Sequence, residues 1–147
     1  MAIEIEAPVE NGAAAVPETG RGKRRGPRRL GLIFIGAGLN HFVIPRPYRQ
    51  IVPPSVGRWM GADKAVALSG VAEIAGGLGV LVPRTRRLAG FGLIALLAAV
   101  FPANLYMARN PGKFSRIPNW ALYARLPLQP LMMWSVWRAT RPAAAPD

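Results

Sequence analysis

Five polar side chains interrupt apolar stretches of this sequence, and they are the residues with chemistry to offer: His41, Glu73, Asn104, Arg125 and Gln129. Glu73 is the sharpest of them. A carboxylate among apolar residues must be paired, protonated or turned toward water, and at a bilayer centre it costs at least a few kcal/mol. It reads either as a proton-handling or ligand-binding group or as half of an ion pair that orders the fold. Arg125 is its expected partner, because a guanidinium can give a carboxylate two parallel hydrogen bonds. His41 offers a hydrogen bond to a quinone or a proton relay, with a locally satisfied interfacial histidine as the structural alternative. Asn104 and Gln129 can orient a ligand, or they can bond across helices and do no more than hold them together.

What is missing bounds the chemistry further. With no cysteine the chain holds no disulfide, Cys-ligated zinc, iron–sulfur cluster or thiol nucleophile, and one histidine excludes bis-His haem within one chain. No metal site is expected, and the methionines read as packing or lipid-facing side chains. A net charge of +12 would point to nucleic acid in a soluble protein, but here the basic residues alternate with apolar runs in a sequence that is 51% hydrophobic. Membrane topology accounts for them better, so no nucleic-acid partner is expected. Gly76 and Gly77 read as packing residues, since no strand precedes them to make a phosphate loop.

The elements that must position these groups are apolar helices. Residues 88–108 contain no charge over about 21 positions, which at roughly 1.5 Å per residue covers the ~30 Å core of a bilayer. The other segments pack around this one. A first span over 30–44 carries Pro27 near its start, a small face of Gly31, Gly36, Ala37 and Gly38, and a stop at Pro45. Residues 46–64 alternate Pro, Arg and aromatic residues and should lie along the interface as a short 3₁₀ or amphipathic helix, with Tyr48 and Trp59 at headgroup level. Trp120 and Tyr123 read as belt residues of the same kind. A second span over 65–82 places Ser69, Glu73, Gly77 and Val80 on one face. In the third span Pro102 leaves the carbonyl of Ala98 without its helical donor, so a kink is expected there. A basic, turn-rich loop over 109–118 leads to a fourth span over 120–137, capped by Asn119 and irregular in its first half because of Arg125, Pro127, Gln129 and Pro130. Trp134 and Trp137 followed by Arg138 and Arg141 mark its exit.

The expected fold is therefore all-α: a four-helix transmembrane bundle over 27–141, with an interfacial segment between the first two helices. Residues 1–26 form a disordered tail ending in a basic anchor of six positive charges in the nine residues 21–29, and 142–147 form a short free tail. The side holding both termini carries 11 basic residues and the other side 8, with the bias strongest beside the first helix. Both termini are accordingly assigned to the cytoplasm. In that arrangement all five polar residues can converge in the outer half of the bundle.

Several short motifs carry a family resemblance in their order and spacing: Gly38-Leu39-Asn40-His41-Phe42 with Pro45, Ile51-Val52-Pro53, Ser69-Gly70-Val71-Ala72-Glu73-Ile74 with Gly76-Gly77, Arg86-Arg87-Leu88-Ala89, Phe101-Pro102-Ala103-Asn104-Leu105-Tyr106-Met107, and Arg125-Leu126-Pro127-Leu128-Gln129. From about Gly36 to Arg138 the chain resembles the DoxX family of small four-helix bacterial membrane proteins. The resemblance implies a multi-pass protein of the bacterial cytoplasmic membrane, associated with quinol-linked oxidase or thiosulfate oxidation systems, some members being linked to thiol and oxidative-stress defence. The function to expect is a small subunit or accessory of a membrane redox system, with a quinone as ligand, a redox enzyme as partner and no self-contained catalysis. The alternative is a non-catalytic membrane adaptor, chaperone or small-solute transporter-like protein.

Overall fold

The computed structural model describes residues 25–141, which form α1 (Arg25–Val43), α2 (Pro45–Ile51), α3 (Pro54–Met60), α4 (Ala62–Leu81), α5 (Arg86–Arg109), a 3₁₀ turn (Pro111–Phe114) and α6 (Asn119–Thr140). Of the tail expected over 1–26, residues 1–24, with Arg21, Lys23 and Arg24 of the basic run, lie outside the described residues, as does the tail over 142–147, whereas Arg25 and Gly26 belong to α1 instead of the tail because the helix starts ahead of Pro27. Among those described there is no strand, so the all-α expectation holds.

Prolines and one glycine set the boundaries. Ile44 leaves the helical region (φ −130°, ψ 67°) ahead of Pro45, which then opens α2. Pro53 is extended and Pro54 opens α3. The segment expected to hold one 3₁₀ or amphipathic turn is thus two short α-helices. Gly61 ends α3 at φ +85°, a conformation that a side chain would strain, and from there the chain enters α4. At the far end of α4 the Thr85 hydroxyl donates to the Gly79 carbonyl (2.9 Å) and Arg86 Nε to that of Val80 (3.0 Å), so the α4–α5 turn satisfies carbonyls that the helix end leaves free.

The four long helices pack in a ring, α1 on α4, α4 on α5, α5 on α6 and α6 back on α1, which leaves α4 and α6 diagonal to each other. The tightest seam is glycine-lined. A Cβ added at Gly38 would stand 2.6 Å from the Gly70 carbonyl oxygen, and one at Gly77 would stand 2.7 Å from that of Gly31. Seven residues forward on α1 match seven residues back on α4, as an antiparallel crossing requires. Such near-contact of backbones is the packing that small residues permit. Gly36 does not belong to this face: it meets nothing within 4 Å, because it lies roughly 140° around the helix from Gly31.

Two other expectations change. Asn119 makes no side-chain cap, since α6 already begins at that residue and Pro118 occupies the cap position. The first half of α6 is also regular, running through Pro127 and Pro130 without a break. Apolar cores lie at both ends, Phe34, Val80, Leu93, Leu97 and Val136 at one and Met107, Phe114 and Leu122 at the other. The outer surface is apolar as well, with Leu32, Ile33, Val43, Leu68, Leu88 and Leu131 all more than half exposed. Two helices, α4 and α5, are long and apolar enough to cross a membrane.

Candidate functional site

The α1–α4 seam decides where the central histidine and carboxylate go. A Cβ added at Gly70 would stand 2.9 Å from the Cβ of His41, so the close glycine contact sets His41 against α4, within one helical turn of Glu73, which lies three residues beyond Gly70. His41 Nδ1 stands 3.1 Å from the carbonyl of Val66, which can only accept, so Nδ1 carries a hydrogen and donates it. The ring's other nitrogen, Nε2, then faces Glu73 Oε1 at 3.6 Å. That separation is longer than a hydrogen bond. The second carboxyl oxygen, Oε2, is buried and has no hydrogen-bond partner among the described residues. An acceptor so placed is costly to leave unmade.

Glu73 opens onto a cavity of about 240 Å³ between α1, α4 and α5, roofed by α2 and α3. Its walls are mostly apolar, from Ile51, Val52, Val56 and Val100 among others, with His41, Tyr48, Ser69, Glu73 and Asn104 as the polar points. Ala99 and Pro102 line it while being exposed on the outside of the bundle, so the cavity reaches the bundle's outer face beside α5. About 150 Å³ suffices for a benzene ring, so a single-ring headgroup has room.

Of the five candidate residues, His41, Glu73 and Asn104 line this cavity. Gln129 is buried behind Asn104, accepting a hydrogen bond from its amide (2.8 Å) and donating its own to the Leu97 carbonyl, one residue before the carbonyl that Pro102 frees. Arg125 does not join them. It is exposed and forms no ion pair among the described residues, and Glu73 takes His41 instead. The reason is the order of the ring: Arg125 is on α6 and Glu73 on the diagonal helix α4, whereas His41 is on the adjacent α1.

Tyr48 is the site residue that sequence reasoning assigned elsewhere. Rather than standing only as a belt aromatic, its ring lies over His41 with centroids 3.9 Å apart, and its hydroxyl accepts from Asn40 Nδ2 at 2.9 Å. Positions 41 and 48 are seven apart, but the Pro45 break interrupts the helix between them, so helical spacing does not predict their contact. Ser69 was legible, one helical turn from Glu73 on the same face.

The pattern of a family described as "Domain of unknown function (DUF8561)" matches residues 30–140, from the second turn of α1 to the last residue of α6. The chain belongs to the DUF8561 family. No curated protein and no solved structure matches it. The DUF8561 region contains every residue that lines the cavity, as well as the four glycines of the α1–α4 seam.

Proposed function

We propose that this DUF8561 protein is a multi-pass protein of the bacterial cytoplasmic membrane, in which α1, α4, α5 and α6 cross the bilayer with both termini cytoplasmic. Its cavity takes the headgroup of a quinone, and the protein serves as a small subunit or accessory of a membrane redox system, in line with its resemblance to the DoxX family. The apolar outer surface and the spans of α4 and α5 support the membrane reading. The observation that carries the ligand reading is Glu73 Oε2, a buried acceptor without a partner in a cavity whose walls are otherwise apolar.

A quinone headgroup matches this chemistry in both of its redox forms. A hydroxyl of the reduced form donates to Oε2, while a proton carried on Glu73 donates to a carbonyl of the oxidised form. Tyr48 and the α5 wall cover the ring, and the isoprenoid tail leaves past Ala99 and Pro102 toward lipid. The pair binds the headgroup and passes one of the two protons of the two-electron quinone/quinol couple, the second proton being exchanged with water at the membrane surface and both electrons with a partner redox subunit.

The test is to purify the full chain from membranes and identify extracted lipids by mass spectrometry. Wild type should carry isoprenoid quinone, and Glu73→Gln should carry at least about tenfold less, the cost of losing a charge-assisted bond. Equal quinone in both proteins, or none in wild type, would overturn the ligand reading. Orientation is tested separately by single cysteines in a chain with no native cysteine. A cysteine in place of Lys113 should react with an impermeant reagent added from outside the cell.

A further inference from the structure

At the end of the bundle opposite the His41–Glu73 cavity, where α5 begins and α6 ends, a second groove of about 210 Å³ opens between these helices. We propose that this groove is a binding site for an anionic glycerophospholipid, its phosphate held between Arg87 and Arg141 and an acyl chain laid over Phe91, Ile94 and Trp137. The inference rests on the membrane reading of the chain and is independent of the quinone.

Each wall presents the same pair of groups, an arginine four residues from an aromatic ring. The Arg87 guanidinium lies 5.8 Å from the centre of the Phe91 ring, and that of Arg141 lies 5.2 Å from Trp137. Because α5 and α6 run antiparallel, both arginines come to the same end of the groove. A ring face attracts the cation and orients it, while the guanidinium's in-plane N–H groups stay free for a phosphate, which they can grip bidentately.

The floor of the groove fixes the spacing of its walls. A Cβ added at Gly90 would overlap Thr140, so the two helices are in near contact there. The Thr140 hydroxyl turns inward to the Val136 carbonyl (2.8 Å), which leaves the apolar side chains of Phe91, Ile94 and Trp137 to line the groove.

Charge selects the ligand. Among the described residues only Asp63 and Glu73 are acidic: Asp63 is paired with Arg49 at the other end of the molecule, and Glu73 faces His41. Arg84 in the adjoining turn and Arg138, stacked on Trp134, add to the positive field at the groove's end. A phosphate diester with no compensating cation meets that field well, whereas the ammonium group of a zwitterionic lipid is repelled by it. Basic pockets between membrane helices recognise anionic headgroups on this principle.

The proposal is tested on the full chain purified in a neutral detergent, by thermal unfolding against added phosphatidylglycerol, phosphatidylcholine of the same chains, or inorganic phosphate. Phosphatidylglycerol should raise the midpoint saturably, and the other two should not. Arg87→Gln combined with Arg141→Gln should weaken the apparent affinity at least about tenfold. Ile94→Trp, which keeps both charges and fills the groove, should do the same and decides the matter if the double variant does not fold. Arg58→Gln, on α3 at the opposite end, should leave the affinity unchanged. Equal effects of the two lipids, an equal shift with inorganic phosphate alone, or undiminished affinity in Ile94→Trp would overturn the site. Flotation with phosphatidylcholine vesicles separates the two readings. A chain that floats but shows no phosphatidylglycerol preference lacks this site while remaining a membrane protein, and a chain that does not float loses both.

Discussion

Two polar clusters lie side by side in the middle of the molecule and differ in one respect. Between α5 and α6, Gln129 accepts from Asn104 and donates to the Leu97 carbonyl, so both ends of its buried amide are occupied. Between α1 and α4, His41 satisfies Val66 and faces Glu73, yet Glu73 Oε2 has no partner. The first cluster is closed and holds two helices together. The second has an unused acceptor next to an empty volume, which makes it the better ligand site although both looked alike in sequence. Intramembrane amides often serve as such interhelical bonds, and the open valence of the carboxylate is what separates the proposed ligand site from a purely structural contact.

The largest effect should come from the seam that supports the open cluster. Gly70→Leu places a side chain where Phe42, His41 and the Gly38 carbonyl already stand, and overpacking of this kind costs about 1–3 kcal/mol. Its thermal midpoint in detergent should fall well below wild type. Gly36→Leu, in open space on the same helix, should be neutral or stabilising by up to about 1 kcal/mol. Similar losses in both variants would mean that the α1–α4 contact is not the glycine seam described.

Next comes the contrast between the clusters themselves. Gln129→Leu leaves the Asn104 amide without its acceptor and removes the bond to the Leu97 carbonyl, and should destabilise by about 1–2 kcal/mol, without directly removing a group from the cavity. Glu73→Gln preserves shape and removes a buried carboxylate, so its stability should stay within about 1 kcal/mol of wild type while quinone retention is lost. Denaturation and lipid extraction on the same two preparations check this crossing of effects. If Gln129→Leu loses quinone and keeps its stability, the roles of the clusters are reversed.

The smallest effect is expected at Arg125. An exposed side chain with no ion pair among the described residues should tolerate Arg125→Met within about 0.5 kcal/mol in the same unfolding assay. Had it been the carboxylate's counter-ion, its loss would cost several kcal/mol by leaving a buried charge unpaired. A severe defect would therefore return Arg125 to the site.

Much of the frame is determined by the sequence alone, because its signals are local. Pro45, Pro54 and Pro111 start or stop helices through their own φ and missing donor, and the apolar runs announce long helices wherever they occur. Ser69 and Glu73 share a face by helical spacing, and the five polar residues stand out simply by being polar among apolar neighbours. Partnership is a different matter, since it depends on which helices are adjacent and how each is turned. Arg125 was the natural mate for Glu73 on charge, but α6 stands diagonal to α4, and the Gly38–Gly70 contact presents His41 instead. Tyr48 reached the site because the helix breaks ahead of Pro45 and α2 packs on α1, α4 and α5, a path that helical periodicity does not encode. The tertiary structure alone decided which carboxyl oxygen is left without a partner, because that requires every competing donor to have been placed first.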